Sequence, residues 1–166
     1  MKLDGVARRL LALVQVDNRR SLDDLARDAG STRSVVQRRL QLLRSTGVIR
    51  KDVALLDRRL VGGTETFIIR LELRWRHRRL FDQFSAKVRD LPEVQQCYLT
   101  TGRLNCIAVV LLPDADALDA FVCEHFADSP LVRGCRTCLV TRELKASLEL
   151  PLPLSDSEAH RRSDQS

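Results

Sequence analysis

The stretch from residue 30 to residue 49, GSTRSVVQRRLQLLRSTGVI, can fold in few ways, because it opens on a capping serine, closes on a glycine and carries apolar residues on one side only. At about 100° per residue, Val36, Leu40 and Leu43 share one stripe. Ser34, Gln37, Arg38, Gln41 and Ser45 fall within about a third of the opposite circumference. The spacing predicts a helix over 31–46 that needs a core beneath it and turns hydrogen-bonding side chains outward. Arginine grips guanine in bidentate fashion and glutamine grips adenine, so such a face near a helix N-terminus suits a DNA major groove. An ordinary solvated amphipathic helix carries the same pattern, and the neighbouring segments have to decide between the two.

Upstream, residues 3–16 place Val6, Leu10, Leu13 and Val14 at helical spacing, and residues 21–29 repeat the pattern with Leu22, Leu25 and Ala26. Ser21 with Asp24, and Ser31 with Ser34, occupy cap and third positions, the second pair lacking an acidic partner. Gly30 separates two short helices, the second polar on its outer face, which is the arrangement of a helix-turn-helix. After Gly47, Val48, Ile49, Val53 and Leu55 suggest short strand pieces around Arg50 and Lys51, a small wing able to touch phosphate.

Charge points the same way. Residues 1–63 hold 14 Lys and Arg against 7 Asp and Glu, a net of +7, while residues 64–166 hold 14 against 15. The positive excess lies entirely in the first third, where a polyanion that releases counterions on binding is the natural partner. Lacking a signal peptide or a long apolar run, the chain is expected in the cytoplasm, with no membrane association.

The remainder has a different texture. Residues 64–73 alternate, with Phe67, Ile69, Leu71 and Leu73 on one face. Over 79–91, Leu80, Phe84, Val88 and Leu91 recur at helical spacing. VQQCYLTT and LNCIAVVLL, separated by Gly102, suit paired strands. Asp114 precedes a helix with Leu118, Phe121, Val122 and Phe126; VRGCRTCLVTREL supplies a fourth strand, and KASLEL is a candidate fifth. Strand, helix, strand, strand, helix, strand is the split βαβ order of a ferredoxin-like α+β sandwich. The expected division is a winged helix-turn-helix head at 1–63, a ferredoxin-like ligand-binding and dimerisation domain at 64–153, and a disordered polar tail at 154–166. The basic run RWRHRR at 74–79 falls where strand gives way to helix and reads as an exposed connection, not as a second nucleic-acid site.

Over roughly residues 3 to 152 the chain resembles the Lrp/AsnC, or feast/famine, family of prokaryotic transcription regulators. Leu3, Asp4, Arg8 and Leu11 match the family's LDxxDxxIL-like opening, with Ala7 where a second aspartate is usual. LARDAGSTRSVVQRRLQLLRSTGVI follows its helix-turn-helix, LPEVQQCYLTTG its "PEV, strand, TG" segment, and ELKASLELPL its closing strand. The resemblance implies a DNA-binding regulator, working as a dimer or a ring of dimers and controlled by a small-molecule effector. Arg33, Ser34, Gln37 and Arg38 are the candidates for base contact, with Gln41 on the same face, and Thr32, Arg50 and Lys51 the candidates for phosphate. The effector is expected around Thr101, Gly102, Arg103, Leu104 and Asn105. Family members commonly carry GDxD at this loop, where an acid can meet an α-amino group. Here both acids are missing and Arg103 follows Gly102, which favours a carboxylate or phosphate over a zwitterionic amino acid held through its ammonium. Arg103 pairing with a carboxylate of the protein, across a subunit interface, is the alternative.

Other chemistry is thinly supported. Cys97, Cys106, Cys123, Cys135 and Cys138 include one CxxC, but on a strand an offset of three puts its two thiols on opposite faces. With His77, His125 and His160 scattered, the spacing offers no metal site, and no cofactor motif is present. Most of the cysteines are expected to be buried small hydrophobes, with a thiol redox sensor as the alternative. Some proteins of this two-part architecture act as decarboxylases on tetrapyrroles of the sirohaem type, so the architecture alone does not decide against an enzyme. Tyr98 is the one tyrosine, and no glycine-rich phosphate loop or nucleophile elbow occurs, so no catalytic residue is assigned.

Overall fold

The computed structural model describes residues 3–74 and 78–152. The centre of the basic run, 75–77, and the whole of the expected tail, 154–166, lie outside the described residues. The chain divides into two compact units, one made of residues 3–55 together with 146–152, the other of residues 56–145.

In the first unit three helices follow one another: α1 Gly5–Val14, α2 Leu22–Ala29 and α3 Arg33–Ser45. Asp4 caps α1 by accepting from the Ala7 backbone N–H at 2.9 Å, and Ser21 caps α2 by accepting from the Asp24 N–H at 3.1 Å. The Ser21 hydroxyl in turn donates to the Asp24 carboxylate at 2.6 Å, so the pair is reciprocal. Leu10, Leu25, Ala26, Ala29, Val36 and Leu40 form the core, with Val6, Leu13, Leu22 and Ile49 closing over it. All of the residues of the three apolar stripes expected from the sequence belong to this cluster or close over it except Leu43, which is buried outside it.

The cap of α3 differs from expectation. Ser31 does not open the helix: its N–H donates to the Ala26 carbonyl at 2.9 Å, completing the turn that ends α2 on Gly30 with φ at 64°. That six-to-one bond and the Gly30 N–H to the Arg27 carbonyl make a Schellman termination, which uses Ser31 and moves the cap of α3 to Thr32. Thr32 makes no side-chain capping bond; its hydroxyl lies 3.3 Å from that of Ser34. The short strand pieces expected around Arg50 and Lys51 are not formed either, since residues 50–57 hold no regular structure. An extended segment without a ladder partner gains no pairing energy, and here Asp52 anchors it instead, accepting from Arg44 of α3 at 3.0 Å and from Asn18 at 3.4 Å.

The second unit begins with a single helical turn, α4 Arg58–Val61, whose Arg58 bonds Thr66 and Glu143. Then come β1 Glu65–Leu73, α5 Arg78–Asp90, β2 Val94–Leu99, β3 Cys106–Leu112, α6 Ala115–Val122 with a π-helical turn Cys123–Ala127, and β4 Val132–Leu139. The sheet order is β2-β3-β1-β4 with every neighbouring pair antiparallel. This is the ferredoxin-like arrangement that the order of elements predicts. Phe67, Ile69, Leu71 and Leu73 of β1 and Cys106, Ala108, Val110 and Leu112 of β3 face the helices. Phe84 and Val88 of α5, Leu118 and Phe121 of α6, and Phe126 complete the core, with the Phe121 and Phe126 rings 5.7 Å apart and edge-on.

KASLEL forms no fifth strand. From Ala146 on it belongs to the first unit, where the Gln15 side-chain amide donates to the Leu150 carbonyl and accepts from the Leu150 N–H, both at 2.9 Å. One glutamine thus satisfies both backbone groups that a ladder would have used.

The cysteine expectation also changes. Only Cys106 is buried; Cys97, Cys123, Cys135 and Cys138 are exposed. The reason is topological: β2 and β4, which carry three of the four, are the two edges of the sheet. Cys135 lies opposite Leu71 and Cys138 opposite Ile68, so the CxxC thiols do point to opposite faces. Among the described residues no group of three or more His, Cys, Asp or Glu side chains is placed to hold a metal, and no helix is long and apolar enough to cross a membrane.

Candidate functional site

Helix α3 turns Val36, Leu40 and Leu43 into the core and leaves Ser34, Gln37, Arg38, Gln41 and Ser45 exposed. The separation follows from the 3.6-residue period acting on this sequence. Thr32, Arg33, Arg50 and Lys51 are exposed as well, at or beyond the two ends of the helix.

The arginines of α3 are not equivalent. Arg33 reaches Asp23 of α2 at 2.7 Å, Arg39 forks onto Asp4 at 2.7 and 2.8 Å, and Arg44 holds Asp52 at 3.0 Å. Arg38 makes no ion pair among the described residues, and neither do Arg50 and Lys51. Three arginines therefore brace the head from within, and Arg38 is left with its guanidinium free beside Gln37 and Gln41. A free fork next to two primary amides is the donor and acceptor set that reads base edges. Sequence reasoning did not separate Arg33 from Arg38, because the carboxylate that occupies Arg33 sits on another helix.

In the second unit, Thr101, Gly102 and Arg103 are exposed, Leu104 is half-buried and Asn105 is buried. Gly102 has φ at 98°, which turns the chain between β2 and β3. Asn105 clamps the end of β1: its Oδ1 accepts from the Leu73 N–H at 2.7 Å and its Nδ2 donates to the Leu73 carbonyl at 2.9 Å. The Thr100 N–H donates to the Asn105 carbonyl at 2.9 Å, and the Thr100 hydroxyl to the Leu104 carbonyl at 3.1 Å. The loop is thus pinned at its base and open at its tip. At the tip, Arg103 Nε donates to Glu72 Oε2 at 2.9 Å, with Arg133 at 3.8 Å from the other Glu72 oxygen. The Arg103 bond holds the Glu72 carboxyl below its ordinary value. The missing loop acids are thus answered within the chain, by an acid on β1 that the local motif could not reveal.

Comparison with known proteins agrees with this geometry. Residues 3–50 match the winged helix-turn-helix DNA-binding family, and residues 66–150 match the Lrp/AsnC ligand binding domain family. The uncharacterized HTH-type transcriptional regulator y4tD of Sinorhizobium fredii is 31% identical over 93% of this chain and 91% of its own length. The leucine-responsive regulatory protein of Escherichia coli is 28% identical over 89% of this chain and 90% of its own. Among solved structures, an AsnC family transcriptional regulator from Agrobacterium tumefaciens superimposes with a TM-score of 0.82 at 30% identity, covering 90% of this chain and 97% of that one. A transcriptional regulator of Neisseria meningitidis, solved as a complex with L-Met, also gives 0.82, at 27% identity over the same shares. Head, recognition face and ligand-binding sandwich together define a helix-turn-helix transcriptional regulator. The chain belongs to the Lrp/AsnC family of these regulators.

Proposed function

We propose that the chain reads DNA as a homodimer or a ring of dimers, with Gln37, Arg38 and Gln41 of α3 against base edges, Arg33 and Ser34 at the helix start, and Thr32, Arg50 and Lys51 against phosphate. The observation that carries this is the free guanidinium of Arg38 on the exposed face of a helix whose other arginines are all engaged. Residues 1–63 serve as head, wing and linker, and residues 64–153 as the ligand-binding and dimerisation domain. Dimerisation is supported by apolar side chains that the single chain leaves uncovered: Leu55, Leu56, Leu60 and Val61 are between 67% and 79% or, for Leu60, 83% exposed. A two-fold pair of heads reads a roughly palindromic site, with half-sites about one helical turn or a multiple apart. Selection from a pool of random duplexes tests this: a spaced inverted repeat supports the reading, and recovery of no enriched sequence overturns it.

The effector is a small anion held at residues 101–105. Arg103 repels an ammonium group and pairs with carboxylate or phosphate, and its bond to Glu72 is one that an anionic ligand can displace. The Neisseria relative in its L-Met complex shows that a regulator of this fold takes an amino acid; the charge at this loop turns the present chain toward a different class. Calorimetry against neutral amino acids, dicarboxylates and phosphate esters decides. Micromolar binding of a neutral amino acid, unchanged by Arg103→Ala, overturns the proposal, and anion binding lost with Arg103 supports it. The relatives' names favour a regulator over the tetrapyrrole-decarboxylase alternative; a porphyrin-like absorbance on the purified protein would reverse that preference.

A further inference from the structure

We propose that Cys97 and Cys106 form a peroxide-responsive thiol pair whose disulfide closes the β2–β3 hairpin around residues 98–105. In the register of the hairpin Cys97 lies opposite Ala108 and Cys106 opposite Leu99, so the two are diagonal neighbours on the helix-covered face. Their sulfur atoms are 3.6 Å apart, in direct contact, and closure to a disulfide asks for an approach of about 1.5 Å. Diagonal partners stand at about 7–8 Å, just beyond the backbone spacing that a disulfide spans, so closure requires one strand to move toward the other. β2 is free to make that movement: it is an edge strand, paired on one side only, and already carries a register shift between Val94 and Gln96.

The two thiols have different surroundings, which divides the chemistry between them. Cys97 is exposed and can be reached by a small hydroperoxide, whereas Cys106 is fully buried at the inner strand. The contact with the Cys106 sulfur lowers the Cys97 value below that of an ordinary thiol, while the same contact and burial push Cys106 up. In the first step the Cys97 thiolate attacks one peroxide oxygen. The O–O bond breaks, Cys97 becomes a sulfenic acid, and hydrogen peroxide's other oxygen leaves as hydroxide. In the second step the Cys106 sulfur attacks the sulfenic sulfur; the S–S bond forms, the S–O bond breaks, and the hydroxyl departs as water with the proton given up by Cys106. Two thiols are oxidised by two electrons, one peroxide is reduced to two waters, and an added dithiol reverses the change.

The other cysteines do not offer this geometry. Cys135 and Cys138 lie on opposite faces of β4, and no sulfur contact other than that of Cys97 with Cys106 occurs among the described residues. The hairpin that the bond would staple carries the proposed effector loop, but the thiol chemistry stands independently of that assignment.

The test uses the full chain, prepared reduced, treated with a modest excess of hydrogen peroxide, alkylated and weighed intact. The expected result is a monomeric species two hydrogens lighter, with three alkylatable thiols in place of five, a peptide map joining Cys97 to Cys106, and full return of thiols with dithiothreitol. Cys97→Ser is expected to abolish the product. Cys106→Ala, which keeps a small apolar side chain at the buried site, is expected to leave a sulfenic acid on Cys97 that dimedone traps. Five free thiols after peroxide, or a bridge between any other cysteines or between subunits, would each overturn the proposal. The wild-type mass and peptide map decide even if the Cys106 variant does not fold.

Discussion

Asp4 does two jobs at once. It caps α1 through the Ala7 N–H and pairs with Arg39 of α3, and these two bonds, the backbone one foremost, hold its carboxyl below its ordinary value. Asp4→Ala is expected to cost the head about 1 kcal/mol, measured by denaturant unfolding, since a capping side chain is lost. Asp4→Asn keeps the cap acceptor and removes the charge. Because the folded-state value lies below the unfolded one, the charged form's contribution is complete above the unfolded value of 3.8 and is lost as pH falls through the folded value. Wild-type stability should therefore fall more steeply than that of Asp4→Asn below about pH 4, with the two curves parallel at neutral pH. Equal slopes in acid would refute this role. Asp4 was legible in the sequence as part of a family opening, but its partner was not, because Arg39 lies 35 residues away on the third helix.

Among elements, the turn from α2 to α3 shows what local pattern reveals and what it conceals. Val36, Leu40 and Leu43, and the alternating residues of β1, were readable because burial imposes the helix and strand periods directly on the sequence. Ser31 was misread because a cap residue and the residue after a Schellman glycine have the same local signature, and only the bond to Ala26 separates them. Gly30 has φ at 64° with open space where a Cβ would stand apart from the tip of Arg9 at 3.8 Å, so Gly30→Ala should cost about 1–2 kcal/mol of head stability through the backbone alone. Unchanged denaturation would show that the turn relaxes. In α3, Gln37→Ala and Arg38→Ala should relax sequence preference at about 1 to 3 kcal/mol each. Lys51→Ala should instead weaken binding to every duplex alike and lower the salt dependence by about one counterion. Gel shifts on matched and mismatched duplexes over a salt series separate the two, and a uniform loss in all three variants would contradict the division. The strand pieces expected around Arg50 and Lys51 were overread, since Val53 and Leu55 alternate without a strand to pair with.

For the whole molecule, the split βαβ order was legible from element sequence, and the sheet order realised it. The exposure of Cys97, Cys135 and Cys138 was not legible, because which strands become edges is a property of the completed sheet. The uncovered side chains of residues 55–61 belong to the same scale. Leu60 is 83% exposed on a single helical turn, so it adds nothing to the fold of one chain. Leu60→Glu should leave the far-ultraviolet spectrum and melting of the monomer intact. It should raise the subunit dissociation constant by about a hundredfold or more, because a two-fold contact loses the residue twice. Sedimentation over a dilution series reads this directly, and an unshifted mass would move the dimer contact elsewhere.

The pairing of Gln15 with Leu150 has a further consequence in time. The bond joins residues 135 apart in sequence, and every residue of the second unit lies between them. During synthesis at about 5–20 residues per second, the three helices have roughly 5 to 20 seconds on the ribosome before that strip of chain emerges. Throughout that interval the Gln15 amide meets only water, and the head is held by its own core and caps. The bond that closes the first-made unit can thus form only after the whole of the second unit has been synthesised.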